Sequence, residues 1–318
     1  MTARVAIVGS GPTGCYTAQA LRKALPEAEI VVFERERHLY GLVRAGVAPD
    51  HAGTKAVTRQ FDRLFERERV IARTGVTIGR DLGLDAARAA FHAVVLATGL
   101  DADRRLGIPG EGLPEVVGSG AFARHANGAG GPRPALGRHL VVVGAGNVAI
   151  DVARVALKGA GAFEGAAVER ATIVARGPRE AAKFDAAMLR ELEQVAGDRL
   201  EIRFGLTPLA IEGETHVTGL VSREATGATI RIPCDSLVTA IGHGPGPDAP
   251  PFRPWETGAP VVLAPGLFAA GWFRRGPRGT IPEARTEGQM VAAAILDSGA
   301  LAGHKPGLAA LSLPEPRP

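Results

Sequence analysis

The 318-residue sequence predicts an α/β fold made of two units, each containing a parallel β-sheet. Short apolar runs alternate with helical patterns, an alternation that is typical of parallel sheets joined by crossover helices. An apolar run followed by a glycine turn and a helical pattern also occurs twice, first from residue 4 and again from residue 140. The chain is long enough for two hydrophobic cores, because single cores stop growing beyond about 250 residues.

The predicted elements follow this scheme along the chain. The apolar runs that predict strands are 4–8, 30–33, 93–96, 140–143, 171–174, 236–242 and 266–271. The helical patterns run to Leu25 after the first glycine turn, over 148–157 after the second, and over 284–297. The other predicted segments are a crossover over 100–137, short strands with turns over 198–240, a Pro- and Gly-rich connection over 243–260 and a loose Pro-rich tail over 302–318.

The first glycine turn, Gly9-Ser10-Gly11-Pro12-Thr13-Gly14, has the spacing of a dinucleotide-binding loop. Gly9 permits the tight turn, Gly11 lets a pyrophosphate approach the backbone, and Gly14 lets helix and strand pack closely. The N-terminus of the following helix supplies unsatisfied N–H groups for the phosphates. Glu34 lies 20 residues beyond Gly14, at the end of the second strand, where a carboxylate would accept hydrogen bonds from ribose hydroxyls.

The second glycine turn, Gly144-Ala145-Gly146-Asn147-Val148-Ala149, is the variant of this loop that ends in alanine. Its second strand ends in Arg176-Gly177-Pro178-Arg179 and not in an acid. An acid at that place would repel a 2′-phosphate, whereas a guanidinium group binds one through two parallel hydrogen bonds. The two sites therefore predict two different dinucleotides, FAD in the first and NADP(H) in the second.

Composition and charge argue against several other classes of function. The formal net charge of +4 comes from 37 Lys and Arg against 33 Asp and Glu, without the long basic run that nucleic-acid binding favours. Cys15 and Cys234 are too far apart in sequence for a CxxC redox pair, a zinc site or an iron–sulfur cluster, so no metal is expected. No apolar stretch approaches the ~18 residues of a membrane span and no apolar leader precedes the first strand, so we expect a cytoplasmic enzyme.

Three longer blocks of sequence are more specific than the glycine turns. They are Gly41-Leu42-Val43-Arg44-Ala45-Gly46-Val47-Ala48-Pro49-Asp50-His51, the stretch from Gly144 to Arg154, and Gly271-Trp272-Phe273-Arg274-Arg275-Gly276-Pro277. The chain resembles the adrenodoxin-reductase-like ferredoxin–NADP(+) reductase family in these blocks, as a compact and shortened member. The resemblance implies two Rossmann-like domains of the glutathione-reductase type, with an NADP(H) domain at 106–242 inserted into an FAD domain at 1–105 and 243–318. It also implies that electrons pass from NADPH to FAD as a hydride, and then singly to a ferredoxin-type protein.

The glycine motifs, the strand ends and the resemblance together predict the cofactor contacts of this chain. For FAD these are Gly9, Gly11, Thr13, Gly14, Glu34, Gly41, Leu42, Val43, Ile78, Thr98, Gly99, Gly271, Trp272, Gly279, Thr280 and Ile281. For NADP they are Gly144, Ala145, Gly146, Asn147, Val148, Arg176, Arg179 and Gly279. The N–H groups of 279–281 would open a helix with Pro282 in its first turn and stabilise the negative charge of the reduced flavin.

Several side chains have a predicted role beside a plainer alternative. His51 would serve proton balance or acceptor docking near the flavin, or would bond a backbone carbonyl as a structural residue. Trp272 would cover the flavin or would fill the core. The arginines of the third block and the one that follows it would form a docking patch for an acidic ferredoxin, or an ordinary solvated face; they are Arg274, Arg275 and Arg278.

The chain also departs from the family pattern. Gly177 stands where the family often has a second arginine, so Arg179 would have to substitute, and Met188 stands where the family has a glutamate near the nicotinamide. Two alternatives therefore stay open: a redox sensor or assembly partner that binds both nucleotides without turnover, and an NADPH diaphorase for a small-molecule acceptor. A disulphide reductase of the thioredoxin type lacks its cysteine pair, and the FxGxxxHxxx fingerprint of flavin monooxygenases is missing between the glycine turns.

Overall fold

The chain divides into two compact units. The computed structural model describes residues 2–159, 163–250, 252, 256 and 261–314. The first unit comprises Met1–Arg44, Ala52–Asp101 and Gly244–Pro318, and the second comprises Ala45–His51 and Ala102–His243. The breaks after Asp101 and His243 lie close to the predicted boundaries at 105 and 242.

The segment 45–51 belongs to the second unit, although the sequence analysis assigned it to the first. The Asn127 side-chain amide donates hydrogen bonds to the carbonyl oxygens of Ala45 and Val47, at 3.1 and 2.9 Å. Further along the segment, Asp50 bonds to Lys158 at 2.8 Å. These long-range bonds could not be anticipated from neighbours in sequence.

The strands and helices have the following bounds. The strands are β1 Arg4–Val8, β2 Glu29–Glu34, β3 Ile71–Thr74, β4 Ala93–Leu96, β5 Ala102–Asp103, β6 Val116–Gly118, β7 Ala135–Leu136, β8 His139–Val143, β9 Glu164–Gly165, β10 Arg170–Val174, β11 Leu200–Arg203, β12 Leu206–Glu212, β13 Gly219–Glu224, β14 Thr229–Pro233, β15 Ser236–Thr239, β16 His243–Gly244, β17 Val262–Ala264 and β18 Leu267–Ala269. The helices are α1 Pro12–Ala24, α2 Leu42–Ala45, α3 Ala52–Lys55, α4 Thr58–Glu66, α5 Leu84–Ala90, α6 Ser119–Ala126, α7 Asn147–Leu157, α8 Ala186–Ala196, α9 Trp272–Arg275 and α10 Ile281–Asp297.

The first unit is built on a sheet with the strand order β17-β18-β4-β1-β2-β3. Its neighbouring strands run parallel, except that β17 is antiparallel to β18. β1, β2, β4 and β18 are almost entirely buried, which explains why their sequences are continuous apolar runs and do not alternate. Helix α1 packs along α10, and Gly288 permits the contact because a Cβ there would lie 2.8 Å from the Thr17 backbone nitrogen.

The second unit is built on a parallel sheet with the strand order β11-β10-β8-β15-β6. Helices α7 and α8 share an apolar core with β8 and β10. The strands predicted over 198–240 are confirmed, and β12, β13 and β14 form an antiparallel sheet. The segment 100–137 is more than a crossover, because Val116 and Val117 of β6 pair with the buried strand β15 and α6 follows directly.

The prediction of a loose C-terminal tail is wrong over residues 302–314. The Gly307 N–H donates to the Ala90 carbonyl oxygen at 2.9 Å, and the Leu308 N–H donates to Glu29 Oε1 at 2.7 Å. Leu308 and Leu311 pack against the core of the first unit. Residues 315–318, and part of the predicted connection over 243–260, lie outside the described residues.

Candidate dinucleotide-binding sites

The first glycine turn follows β1 at the carboxyl edge of the sheet, where ligands bind in open α/β sheets. Gly9 has a φ of 103°, and a Cβ there would collide with the carbonyl of Ala97. A Cβ on Gly14 would collide with the Gly9 carbonyl, whereas one on Gly11 would meet nothing within 4 Å. The three glycines therefore have the predicted geometry: two allow close packing, and Gly11 leaves open the space that a pyrophosphate would occupy.

Glu34 is held at the end of β2 by a network that the sequence analysis missed. Its Oε2 accepts hydrogen bonds from the Ser10 N–H at 3.0 Å and the Ser10 hydroxyl at 2.5 Å, and its Oε1 accepts one from the Glu36 N–H at 3.0 Å. Both Ser10 and Glu34 are buried. The carboxylate is thereby oriented before any ribose binds. A small polar residue between two turn glycines, with an acid ending the next strand, is the signal that could have identified Ser10.

Tyr40 links this network to the following segment. Its backbone has a φ of 84°, which is unusual for an aromatic residue, and its N–H donates to the Ser10 hydroxyl at 2.9 Å. Its buried hydroxyl donates a short hydrogen bond to Asp62, and burial, followed by this bond, raises the pKa of Tyr40. These contacts bring Gly41 to the turn, where its Cβ position lies 3.5 Å from the Gly11 Cα.

The other residues predicted to contact FAD divide by exposure. Val43 and Ile78 are buried in the core of the first unit. Thr98 and Gly99 follow β4 beside the glycine turn, with a φ of 68° at Gly99. Leu42 is half-buried at the start of α2.

The third sequence block also reaches the first glycine turn. Gly271 has a φ of 67°, and a Cβ there would lie 2.9 Å from the Thr13 hydroxyl oxygen, so only glycine allows this approach. Trp272 follows at the start of α9 and is half-buried. The first turn of α1 and the start of α9 are thus adjacent within the first unit.

Two of the three arginines predicted to form a docking patch have an ion-pair partner within the first unit. The Nε atoms of Arg274 and Arg275 contact the two carboxylate oxygens of Glu287, at 2.7 and 2.9 Å. Glu287 is only 5% exposed, so these arginines compensate a buried charge on α10. Arg278 alone of the three is exposed.

The helix start at 279–281 has its own cap. Gly279 has a φ of 95°, and Thr280 forms a capping box with Glu283 before Pro282 in the first turn. The Thr280 N–H donates to Glu283 at 2.5 Å, and this bond lowers the pKa of the Glu283 carboxyl. The Thr280 N–H, which was predicted to face the flavin, is therefore engaged within the helix cap, and the prediction must rest on its neighbours.

The second glycine turn follows β8 with the same steric pattern. A Cβ on Gly144 would collide with the carbonyl of Ala240, whereas one on Gly146 would meet nothing within 4 Å. Ala149 is fully buried between helix and strand, and Val148 is 45% exposed. The Asn147 side-chain oxygen accepts a hydrogen bond from the Asp185 N–H at 2.7 Å, which connects the turn to the start of α8.

The strand after this turn ends in positive charge. Arg176 and Arg179 are both exposed, and Arg179 begins a short 3-10 helix, Arg179–Ala181. Met188 packs against the apolar core beneath α8, so its position contributes bulk and not charge. The chemistry at the end of β10 is therefore the opposite of that at the end of β2.

His51 lies in the second unit, within a cluster of charged groups around Arg154. The Arg154 side chain is fully buried and contacts Asp50 at short range, Asp151 at 2.6 Å and Glu191 at 3.1 Å. The His51 Nε2 lies 2.9 Å from Arg154 Nη2. The plainer alternative for His51 was that its ring would bond a backbone carbonyl. In the structure, its Nε2 contacts the Arg154 side chain instead.

The two aspartates of this cluster differ in their titration. Burial acts to raise the pKa of Asp50, but hydrogen bonds from Lys158 and Arg154, with their charges, outweigh it and hold the pKa below its usual value. Burial raises the pKa of Asp151 despite its hydrogen bond from Arg154. The cluster therefore favours the ionised form of Asp50, whereas burial disfavours that of Asp151.

Two kinds of feature are absent among the described residues. No helix among them is long and apolar enough to cross a membrane. No group of three or more His, Cys, Asp or Glu side chains in the same part of the chain is arranged to hold a metal ion.

Comparisons with known proteins identify the family of the chain. A family model described as "Pyridine nucleotide-disulphide oxidoreductase" matches residues 3–253. Cindoxin reductase of Citrobacter braakii is 37% identical over 97% of this chain and 81% of that protein. The mitochondrial NADPH:adrenodoxin oxidoreductase of Mus musculus is 31% identical over 98% of this chain and 82% of that protein. These relatives extend across both units of the chain.

Solved structures show the same fold. FprA, an oxidoreductase of Mycobacterium tuberculosis, superposes with a TM-score of 0.83 at 24% identity, covering 94% of this chain and 85% of that one. Lactococcus lactis thioredoxin reductase superposes with a TM-score of 0.66 at 18% identity, covering 93% of this chain and 98% of that one. At these identities the similarity concerns the fold alone.

Proposed function

Because the chain belongs to the pyridine nucleotide-disulphide oxidoreductase family, we propose that it carries electrons from NADPH through FAD to a ferredoxin-type protein. One observation carries this proposal. The same steric design of glycine turn occurs in both units, yet β2 ends in the buried Glu34 and β10 ends in the exposed Arg176. Two dinucleotides of different charge requirement are therefore bound by one chain.

The first unit fits FAD. Gly11 leaves its backbone open for the pyrophosphate, and α1 presents its N-terminus there without an acidic residue in the first turn. Glu34, oriented by Ser10, would accept hydrogen bonds from the ribose of the adenosine half. The residues predicted from the resemblance at 41–43, 78, 98–99, 271–272 and 279–281 stay proposals for the flavin half.

The second unit fits NADP(H). Gly146 and the start of α7 would hold the pyrophosphate, and Arg176 with Arg179 would bind the 2′-phosphate. Hydride transfer between nicotinamide and flavin is the chemistry that the cofactors supply when bound. The chain's own residues bind and orient them, and the half-buried Trp272 would shield the flavin from water. His51 stays a prediction for proton balance, with Arg154 fixing its ring.

The chain lacks the chemistry for disulphide reduction that the family name describes. Its two cysteines, Cys15 and Cys234, belong to different units, and both are buried. Burial raises the pKa of the Cys15 thiol, and it raises that of Cys234 to about 12, so neither forms a reactive thiolate at neutral pH.

A small electron-carrier protein is the acceptor that we propose. The relatives named above are a cindoxin reductase and an adrenodoxin oxidoreductase. We therefore propose that the partner of this chain resembles the carriers after which these relatives are named. We propose an acidic carrier that docks by complementary charge, with Arg278 as an exposed contact. The cytoplasm stays the predicted location.

The purified protein tests this proposal directly. We expect a yellow protein whose flavin absorbance bleaches on addition of NADPH, and a rate of cytochrome c reduction that rises when a ferredoxin is added. Bleaching without any ferredoxin effect would favour the diaphorase alternative. A colourless protein, or a flavin that NADPH does not bleach, would overturn the enzyme assignment and favour a sensor or assembly role.

A further inference from the structure

Three arginines form a row on the outer face of α4. Arg59 and Arg63 lie within the helix and Arg67 caps its end, and all three side chains are exposed. Residues four apart share one face of a helix and are separated by about 6 Å along its axis. Among the residues that the structure describes, none is an ion-pair or hydrogen-bond partner of these three side chains.

The inner face of α4 fixes this row to the first unit. Phe61 is fully buried, and its ring centroid lies 5.0 Å from that of Tyr16 on α1, the helix that begins at the first glycine turn. On the same helix, Asp62 accepts the hydrogen bond of the Tyr40 hydroxyl. The row therefore stands about one helix diameter, roughly 10 Å, outside the layer that carries the first glycine turn.

Folding stability does not account for the row. Like charges four residues apart destabilise a helix, and Arg59 in the first turn opposes the positive end of the helix dipole, where no acidic residue compensates it. Other arginines of the first unit have carboxylate partners: Arg35 contacts Asp101 at 2.5 Å, and Arg69 contacts Glu27 at 3.2 Å. The charge of the α4 row is thus available to an external anion.

The distribution of charge favours a partner that must approach the first unit. Basic residues outnumber acidic ones in this unit but not in the second. An electron carrier has to reach the unit that holds the flavin, and complementary charge steers such an encounter. Glu287 already compensates Arg274 and Arg275, so the α4 row offers positive charge that the predicted patch does not.

The same face argues against nucleic acid as the partner. Glu66 is exposed between Arg63 and Arg67, where it would repel a phosphate backbone. Proteins that bind single strands also present aromatic rings for base stacking. The two aromatic residues of α4, Phe61 and Phe65, pack against the core of the first unit instead. A protein surface with separate carboxylates fits this face better than a continuous line of phosphates.

We propose that Arg59, Arg63 and Arg67 form the docking surface for the electron-carrier protein, and that they bind carboxylates about 6 Å apart on an acidic face of that carrier. The inference rests on the proposed function, because it names the surface at which the acceptor of the electrons binds. Exposed pairs of this kind act mainly on association, so docking should weaken as the ionic strength rises.

The test uses the FAD-loaded protein with NADPH and an acidic [2Fe–2S] ferredoxin of the plant type. The triple variant Arg59→Gln, Arg63→Gln and Arg67→Gln should raise the KM for ferredoxin by on the order of tenfold at low ionic strength. Glutamine has a similar helix propensity to arginine, so α4 should stay folded. Bleaching of the flavin by NADPH should not change. Glu66→Gln removes the negative charge of the face and should lower the KM a few-fold.

The matched control is a second triple variant that removes the same charge from the surface of the second unit. Arg138→Gln, Arg190→Gln and Arg223→Gln change three exposed arginines that lie on different elements. This control should leave the KM within about twofold of the wild type. The inference is overturned if the α4 variant leaves the KM unchanged, or if both triple variants raise it equally.

Two binding measurements separate the remaining outcomes. Calorimetry gives the Kd of the oxidised ferredoxin without turnover, and fluorescence anisotropy gives that of a single-stranded oligonucleotide. Loss of oligonucleotide binding in the α4 variant, with ferredoxin binding unchanged, would overturn the inference in favour of nucleic acid. A wild-type protein that binds ferredoxin through these arginines but does not reduce it would contradict the proposed function and leave the docking surface standing.

Discussion

The two glycine turns share a backbone design and differ in everything around it. In each, the first glycine packs against the carbonyl of an alanine that follows the neighbouring strand, Ala97 in one unit and Ala240 in the other. Around the first turn, Ser10 and Glu34 form a buried network, whereas the strand after the second turn ends in exposed arginines. A buried, pre-oriented site suits a cofactor that stays bound, and an exposed one suits a cofactor that exchanges at every turnover.

The largest effect is expected from breaking the backbone design itself. Gly9→Val should destabilise the first unit by about 3 kcal/mol or more, because the side chain meets the Ala97 backbone at a strained φ. The variant should also lose FAD. Chemical denaturation measures the loss of stability, and bound-flavin absorbance measures the loss of FAD. Gly11→Val is the matched control: nothing lies within 4 Å of its Cβ, so it should fold normally and lose FAD all the same. Equal stability of the two variants would contradict the different roles assigned to these glycines.

Removing the network of the first turn should have the next largest effect. Ser10→Ala leaves Glu34 Oε2 with one hydrogen bond fewer and the Tyr40 N–H without its acceptor. We expect a loss of about 2 kcal/mol in unfolding free energy and FAD binding weakened by on the order of tenfold. Ser298→Ala, at the exposed end of α10, provides the comparison. Unchanged FAD affinity would mean that Glu34 needs no orientation by Ser10.

Reversing the charge at the second site should reduce its preference for NADPH over NADH. Arg176→Glu places an acid where the first unit has one, so NADPH should bind on the order of tenfold to a hundredfold more weakly while NADH is little affected. Steady-state kinetics with both nucleotides measure the ratio, and Arg190→Glu on α8 controls for net charge. A proportional loss for the two nucleotides would show that Arg176 does not read the 2′-phosphate.

A smaller effect concerns the cluster around Arg154. The pKa of Asp50 is lowered in the folded chain, so its contribution to stability is present above the unfolded pKa and is lost as the pH falls through the lowered value. Asp50→Asn should cost about 1 kcal/mol at pH 7, after allowance for partial solvent exposure, and this cost should vanish once the pH has fallen below the lowered pKa of Asp50. Urea denaturation at neutral pH and over a series of acidic pH values measures this. Asp198→Asn, at an exposed aspartate of the same unit, should show no such dependence.

The smallest effect is expected at the surface of the first unit. Arg278→Ala should lower ferredoxin-dependent turnover only a few-fold, and only at low ionic strength, because a single exposed charge acts mainly on association. Bleaching of the flavin by NADPH serves as the internal control and should not change. A loss that persists in high salt would argue against an electrostatic contact.

Much of the first site could be predicted from sequence because its signals are local. The glycine spacing, the strand before it and the acid after the next strand all lie within 34 residues, and the structure places them together. Ser10 and Tyr40 were missed, since their roles depend on which side chain faces which across the turn. The ion pairs of Arg274 and Arg275 were missed for the same reason, because their partner Glu287 lies on a helix further along the chain.

The sequence by itself determined the two parallel sheets, both glycine turns and the opposite chemistry at the ends of β2 and β10. These follow from periodicity and from the steric needs of a phosphate near the backbone, which act over a few residues. Only the tertiary structure decided that residues 45–51 join the second unit and that Arg179 lies over Phe204. Such pairings depend on bonds between segments distant in sequence, and no local pattern encodes a partner that the fold alone brings near.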